Sequence, residues 1–249
     1  MKQTEKIQKV LARAGFGSRR QLEQLIKDGR IKVNGNTATL GDRISLDDKV
    51  DIDGKPAPIK VAAKQDTQVI MYNKPLGEIC TRHDPEGRPT VFDKLPKLEV
   101  GRWIGVGRLD INSQGLLLFT NNGELANALM HPKSKIARKY LVRVVGSVNK
   151  TIISKLLNGA LLEDGFAKFD TIERVFNEKD KANQWFKVTV SEGRNRLVRR
   201  LWNAEGVMVN RLIRVDFCHI ILPRSLRSGS FRHLTALEMK MLKEFTKVI

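Results

Sequence analysis

Beyond residue 66 the apolar residues gather in runs of strand length, and helical patterns fall between them without regular alternation. The runs are Val69–Tyr72, Gly115–Thr120, Tyr140–Val145, Trp185–Val190 and Leu212–Phe217. Helical spacing occupies Gly123–His131, Asn149–Leu157 and Asn195–Glu205, and Thr235 with Glu238 caps a last helix. A doubly wound parallel sheet needs strict strand–helix alternation. This stretch instead predicts an α+β domain with a mainly antiparallel, mixed sheet flanked by helices.

The first sixty residues read as a separate, smaller α/β unit. Ile7, Val10, Leu11 and Ala14 fall on one helical face, and Gly15-Phe16-Gly17 breaks the pattern. Ser18 with Gln21 makes a capping box for a second helix, whose buried face is Leu22, Leu25 and Ile26 and whose end is Gly29. Strand-like runs Ile31–Val33 and Thr37–Leu40 flank Asn34-Gly35, a tight-hairpin signal, and Lys49–Ile52 closes the segment. From Gly54 to Asp66 periodicity is lost and prolines appear, as in a linker. The predicted boundaries are 1–60 for the small domain, 61–66 for the joint and 67–249 for the large domain.

Charge narrows the partner. Forty-five Lys+Arg against 27 Asp+Glu leave a formal net charge of +18, which calls for a polyanion. Basic residues are spread along the chain and not gathered on one amphipathic helix, which favours nucleic acid over a membrane surface. Residues 1–35 carry nine basic and three acidic side chains, and Arg13, Arg19, Arg20 and Lys27 on the polar helix faces are the candidate contacts. There is no 18-residue apolar span, and the first residues lack the apolar stretch of a secretory signal, so a cytoplasmic protein is expected. Cys80 and Cys218 are then expected as reduced thiols. His83, His131, His219 and His233 lie far apart in the chain, and no Gly-Lys-Ser/Thr phosphate loop occurs, so neither a metal nor a cofactor is expected.

One stretch is hard to explain as packing. From Gly105 to Gly123 a polar loop with Arg108 and Asp110 is held between two apolar strands. An acid so placed is positioned to act on a ligand. Spacing alone is equally compatible with an Asx-type turn.

Longer motifs go further. Gly107-Arg108-Leu109-Asp110 followed by Gly115-Leu116-Leu117-Leu118 resembles the signature of the pseudouridine synthases that modify ribosomal RNA. Asn73-Lys74-Pro75-Leu76-Gly77, Arg138-Lys139-Tyr140 and Glu192-Gly193-Arg194-Asn195-Arg196-Leu197-Val198-Arg199-Arg200 are similar to that family's other motifs, in the same order. The run Ile7–Ile52 resembles an S4 RNA-binding domain, and Cys80–Asp93 is similar to members acting on large-subunit RNA.

The resemblance implies that uridine is isomerised without metal, cofactor or energy source. It implies a catalytic Asp110, as nucleophile on the ribose or as the base that starts glycal formation, and Arg199 as its cationic partner. Tyr140 would stack on a flipped base. Arg108 would hold the duplex open, with Arg194 and Arg196 as further RNA contacts, although Asn195-Arg196-Leu197 departs from the His-Gln pair of many relatives. Lys74-Pro75 would shape the pocket wall. The implied partner is large-subunit ribosomal RNA or an assembly intermediate, met by a monomer. A non-catalytic S4-type assembly factor, or the same enzyme on small-subunit RNA, remains the alternative.

Overall fold

The structure, a computed structural model, describes residues 4–60, 65–175 and 183–247. Their described parts fall into two compact units: Met1–Gln68 with Pro96–Ile104 and Asn121–Gly123, and the remainder.

In the first unit β1 (Glu5–Lys6) leads into α1 (Ile7–Arg13), and α2 (Arg19–Lys27) follows. The Ser18 hydroxyl accepts from the Gln21 amide at 3.2 Å while the Gln21 side chain accepts from the Ser18 amide at 2.8 Å, which satisfies two otherwise orphaned donors. Ile7, Leu11, Leu22 and Ile31 are 0% exposed and centre the core of this unit.

Strands β2 (Ile31–Val33), β3 (Asn36–Thr37), β5 (Val50–Ile52) and β6 (Lys55–Pro56) form a sheet ordered β3-β2-β5-β6, and β4 (Arg43–Ile44) pairs with β1. The hairpin falls on Asn34 and Gly35, at φ 50° and 87°, the doubly positive geometry of a type I′ turn. The expected strand at Thr37–Leu40 ends early because the Thr39 amide and hydroxyl both bond the Asp42 carboxylate at 2.8 Å and turn the chain. Pro56 of the proline-bearing stretch lies in the edge strand β6, where a missing N–H is tolerated. Residues 61–64 of the expected joint lie outside the described residues.

The second unit is built on a nine-stranded sheet. Its path runs β13 (Thr171–Val175), β14 (Asn183–Val190), β10 (Arg138–Val145), β15 (Met208–Phe217), β9 (Gln114–Thr120), β7 (Val69–Lys74), β17 (Phe231–His233), with β16 (Ile220–Ile221) on β15 and β8 (Ile104–Val106) on β9. Only β9 with β15 is parallel along that path; the rest is antiparallel. Helices α3 (Gly123–Met130), α4 (Lys150–Asn158), α5 (Leu197–Ala204) and α6 (Ala236–Thr246) accompany it. The whole is the α+β fold expected, with a mixed and mainly antiparallel sheet. A short hairpin, β11 (Ala160–Leu162) with β12 (Gly165–Ala167), carries no apolar periodicity and was not legible in the sequence.

One cross-strand row matters for the site: Ile172, Val188, Tyr140, Arg214, Gly115 and Lys74 pair in succession across β13, β14, β10, β15, β9 and β7. Residues of one row share a face. A bulge in β15 skips Val215 and brings Tyr140 opposite Arg214, re-aiming side chains as bulges commonly do beside sites. Gly115, at φ 99°, closes the row: a Cβ there would sit 2.2 Å from the Arg214 carbonyl oxygen. Gly115→Ala is therefore expected to destabilise the large unit by on the order of 3 kcal/mol, read as a lower midpoint in urea. An unchanged midpoint would contradict this close strand approach.

Candidate active site

The loop 107–113 joins β8 to β9 and carries Asp110 at its tip. The backbone carbonyls of its last five residues, Leu109 to Ser113, are each engaged. The Cys80 thiol donates to the Leu109 carbonyl at 3.3 Å. The Ser113 amide reaches the Asp110 carbonyl and the Gly77 amide the Ile111 carbonyl, both at 3.0 Å. Arg199 Nη2 donates to the Asn112 carbonyl at 2.7 Å, and Lys74 Nζ to the Ser113 carbonyl at 2.9 Å. A buried carbonyl left unpaired costs about 1–3 kcal/mol, so this set holds the loop in one shape.

Lys74 is 0% exposed, and its second bond goes to the Pro75 carbonyl at 2.9 Å. Burial pulls its pKa below the usual lysine value, while the nearby acids Glu78 and Asp110 act the other way. Lys74 is thus a cation inside the protein that ties β7 to the end of the loop. Glu78, buried beside it, accepts from the Tyr72 hydroxyl at 2.5 Å and from Lys94 at 3.0 Å.

The side chain of Asp110 keeps 30% of its surface exposed, and Arg196 Nη1 stands 3.8 Å from its Oδ2. Sequence reasoning gave the partner role to Arg199. The structure uses Arg199 differently: both terminal nitrogens are committed, one to Asn112 and one to the Val209 carbonyl at 2.8 Å. Its charge still acts on Asp110 through space. Burial lowers its pKa first, the repulsion of Arg196 next, and Asp110 opposes both.

Arg196 reaches the carboxylate from an unusual backbone. It is the N-cap of α5 at φ 50°, ψ 26°, with no side-chain cap, where Ser, Thr, Asp or Asn in an extended conformation is the norm. That left-handed residue also explains why the helix expected from Asn195 begins only at Leu197. Arg196, Arg199, Arg200, Asn203 and Met208 line an open cleft of about 360 Å³.

The other expected residues divide. Tyr140, 9% exposed, lies on the shared row two strands from Gly115, at the loop's exit. Arg108 is exposed beside the loop, and Arg19, Arg20 and Lys27 are exposed on or at the end of α2. Arg13 is paired with Glu5 at 2.8 Å. Arg194, expected to touch RNA, is instead turned onto the β11–β12 hairpin, donating to the Phe166 carbonyl at 2.7 Å and pairing with Asp164 and Glu192. Arg200 holds Asp164 through two bonds of 2.8 and 2.9 Å. Cys80 and the anchoring use of Arg199 were not read from the sequence; no residue spacing signals a side chain that bonds a distant backbone. Among the described residues no group of acids, cysteines and histidines is gathered to hold a metal.

The site is a partly exposed carboxylate on a tethered loop, with Arg196 near it and the charge of Arg199 acting through space. The RNA pseudouridylate synthase family model matches residues 68–204, and the S4 domain model matches 5–50. The chain belongs to the RNA pseudouridylate synthase family. This pseudouridylate synthase is 53% identical over 242 residues to the ribosomal large subunit pseudouridine synthase B of Salmonella typhimurium, covering 96% of this chain and 82% of that one. It is 52% identical over 247 residues to the enzyme of the same name from Escherichia coli K12, covering 98% and 84%. A solved crystal structure of a pseudouridylate synthase superposes with a TM-score of 0.65 at 27% identity, over 95% of this chain and 99% of the other. No helix among the described residues is long and apolar enough to cross a membrane.

The strain at Arg196 yields a test. A glycine tolerates the left-handed region freely, so Arg196→Gly is expected to leave stability equal or higher while activity on RNA falls at least tenfold. Thermal melts and turnover on one preparation decide it. A loss of both, or of neither, would mean that the side chain does not act at Asp110.

Proposed function

We propose that this enzyme isomerises a specific uridine of large-subunit ribosomal RNA to pseudouridine, with Asp110 as the catalytic carboxylate. The observation that carries the reading is the pinned loop, which presents one partly exposed carboxylate with a cation at hand. The names of the similar enzymes supply the substrate class.

The chemistry follows from the placement. With uridine flipped out of its stack, Asp110 attacks C1′ or removes a ribose proton, and the N1–C1′ bond breaks. The base turns and C5 bonds to C1′ as the Asp110 carboxylate is displaced or the ribose proton returns; C5 then gives up its proton and N1 takes one up. Arg196 stands 3.8 Å from the carboxylate, and the charge of Arg199 acts on it through space. Tyr140 offers a ring for the flipped base, a contact worth ~1–3 kcal/mol, and Arg108 stands exposed to fill or brace the vacated duplex. The small domain, residues 1–60 with Arg19, Arg20 and Lys27 outermost, grips neighbouring RNA. The joint at 61–66 tethers it to the catalytic domain of 67–249, raising the local concentration of target. The enzyme works as a monomer in the cytoplasm on ribosomal RNA or an assembly intermediate.

Mapping pseudouridine by chemical labelling and primer extension, on unmodified ribosomal RNA treated with the wild type or Asp110→Asn, tests this. A new stop in large-subunit RNA is expected with the wild type, reduced at least 10³-fold in rate with the variant. A stop of equal strength with Asp110→Asn would remove Asp110 from the chemistry. A stop confined to small-subunit RNA would refute the substrate, and none on naked RNA, intermediates or subunits would refute the activity.

A further inference from the structure

Cys80 makes two hydrogen bonds to one residue. Its Sγ–H donates to the Leu109 carbonyl at 3.3 Å, and its sulfur accepts from the Leu109 amide at 3.4 Å. One side chain thus satisfies both backbone groups of the residue that precedes Asp110. On the far side of Asp110, the Gly77 amide holds the Ile111 carbonyl at 3.0 Å. The short segment 77–80 therefore brackets Asp110 from both neighbours in the chain.

That segment is itself rigid. The Ile79 amide donates to the Pro89 carbonyl, and the Val91 amide returns to the Ile79 carbonyl, each at 3.0 Å. Leu109 itself is buried, 7% exposed. The thiol must keep its proton to donate, and burial, the largest influence on it, pushes its pKa above the ordinary cysteine value. At neutral pH it is a donor and not a nucleophile.

We propose that Cys80 is a positioning residue for the reaction, setting the depth and direction of the Asp110 carboxylate through the Leu109 backbone. The proposal rests on Asp110 being the catalytic acid. Sulfur is suited to the place because its bonds are long. A serine oxygen, on a shorter bond and with a preferred reach of about 2.7–3.0 Å, keeps both functions but must draw the loop inward to use them. Alanine and valine keep neither, and valine fills the space.

The test measures kcat, KM for a ribosomal RNA substrate and melting temperature for wild type, Cys80→Ala, Cys80→Val and Cys80→Ser. Cys218→Ala serves as a control at the other thiol, which is buried beside Phe217. Small misplacements of a catalytic group commonly cost between tenfold and a hundredfold in rate. Cys80→Ala and Cys80→Val are expected to melt a few degrees lower, because the Leu109 groups lose their partner, yet to stay folded at the assay temperature and lose about tenfold in kcat with KM within about twofold. Cys80→Ser should recover part of the kcat loss. Cys218→Ala should match the wild type. Wild-type kcat in the alanine and valine variants overturns the proposal. So does a loss that appears in KM or equals the unfolded fraction at the assay temperature, or a serine variant no better than alanine. If Cys80→Ala fails to fold, Cys80→Val reads the same split. Asp110→Asn run in parallel separates the two ideas: activity surviving in it refutes the catalytic assignment, whatever Cys80 does.

Discussion

Five successive backbone carbonyls, from Leu109 to Ser113, each accept a hydrogen bond, and the geometry of the active site depends on that accounting. Loops usually meet the demand with water. Here the donors come from the Cys80 thiol, the amides of Ser113 and Gly77, and the side chains of Arg199 and Lys74. Each neutral bond contributes about 1 kcal/mol net, and each would cost more if its partner were removed. An acid carried on such a loop need not be ordered when substrate arrives, so little of the binding energy of the RNA is spent on shaping the site.

Two of those donors are charged, which binds structure to electrostatics. Lys74 is buried where a cation is costly, and carbonyl oxygens and nearby acids offset that cost. Arg199 spends its hydrogen bonds on the backbone and its charge on Asp110. The direct approach to the carboxylate is left to Arg196, held in a left-handed conformation that an arginine adopts only with strain of about 1–3 kcal/mol. If Asp110 is the catalytic acid, that conformation is what aims the Arg196 side chain at it.

How far this was legible in the sequence follows from the range of each interaction. Local signals carried well. The Ser18–Gln21 and Thr235–Glu238 capping boxes, the Asn34-Gly35 turn and the main strands of the large sheet are where periodicity and turn chemistry place them. Signals that depend on distant partners did not carry. The Thr37–Leu40 run stops because of a turn at Asp42, and the β11–β12 hairpin is held by Arg194 and Arg200 from 28 to 36 residues away. Asp110 stood out as a candidate through the family-like motif around it, because spacing alone was equally compatible with an Asx-type turn. Arg199 was read as a counter-ion from its place in the family-like motif, whereas its observed bonds are to carbonyls that no sequence pattern reveals. Cys80 lay in plain view within a family-like run and carried no signal of its own use.

Amide hydrogen exchange on the free enzyme tests most directly whether the loop is formed before RNA arrives. The informative amides are Leu109, bonded to Cys80, Ser113, bonded to the Asp110 carbonyl, and Gly77, bonded to the Ile111 carbonyl. A preorganised loop predicts protection of all three close to that of the adjoining strands β7 and β9. Exchange of these amides at the rate of an open chain, with protection gained only on adding RNA, would contradict it.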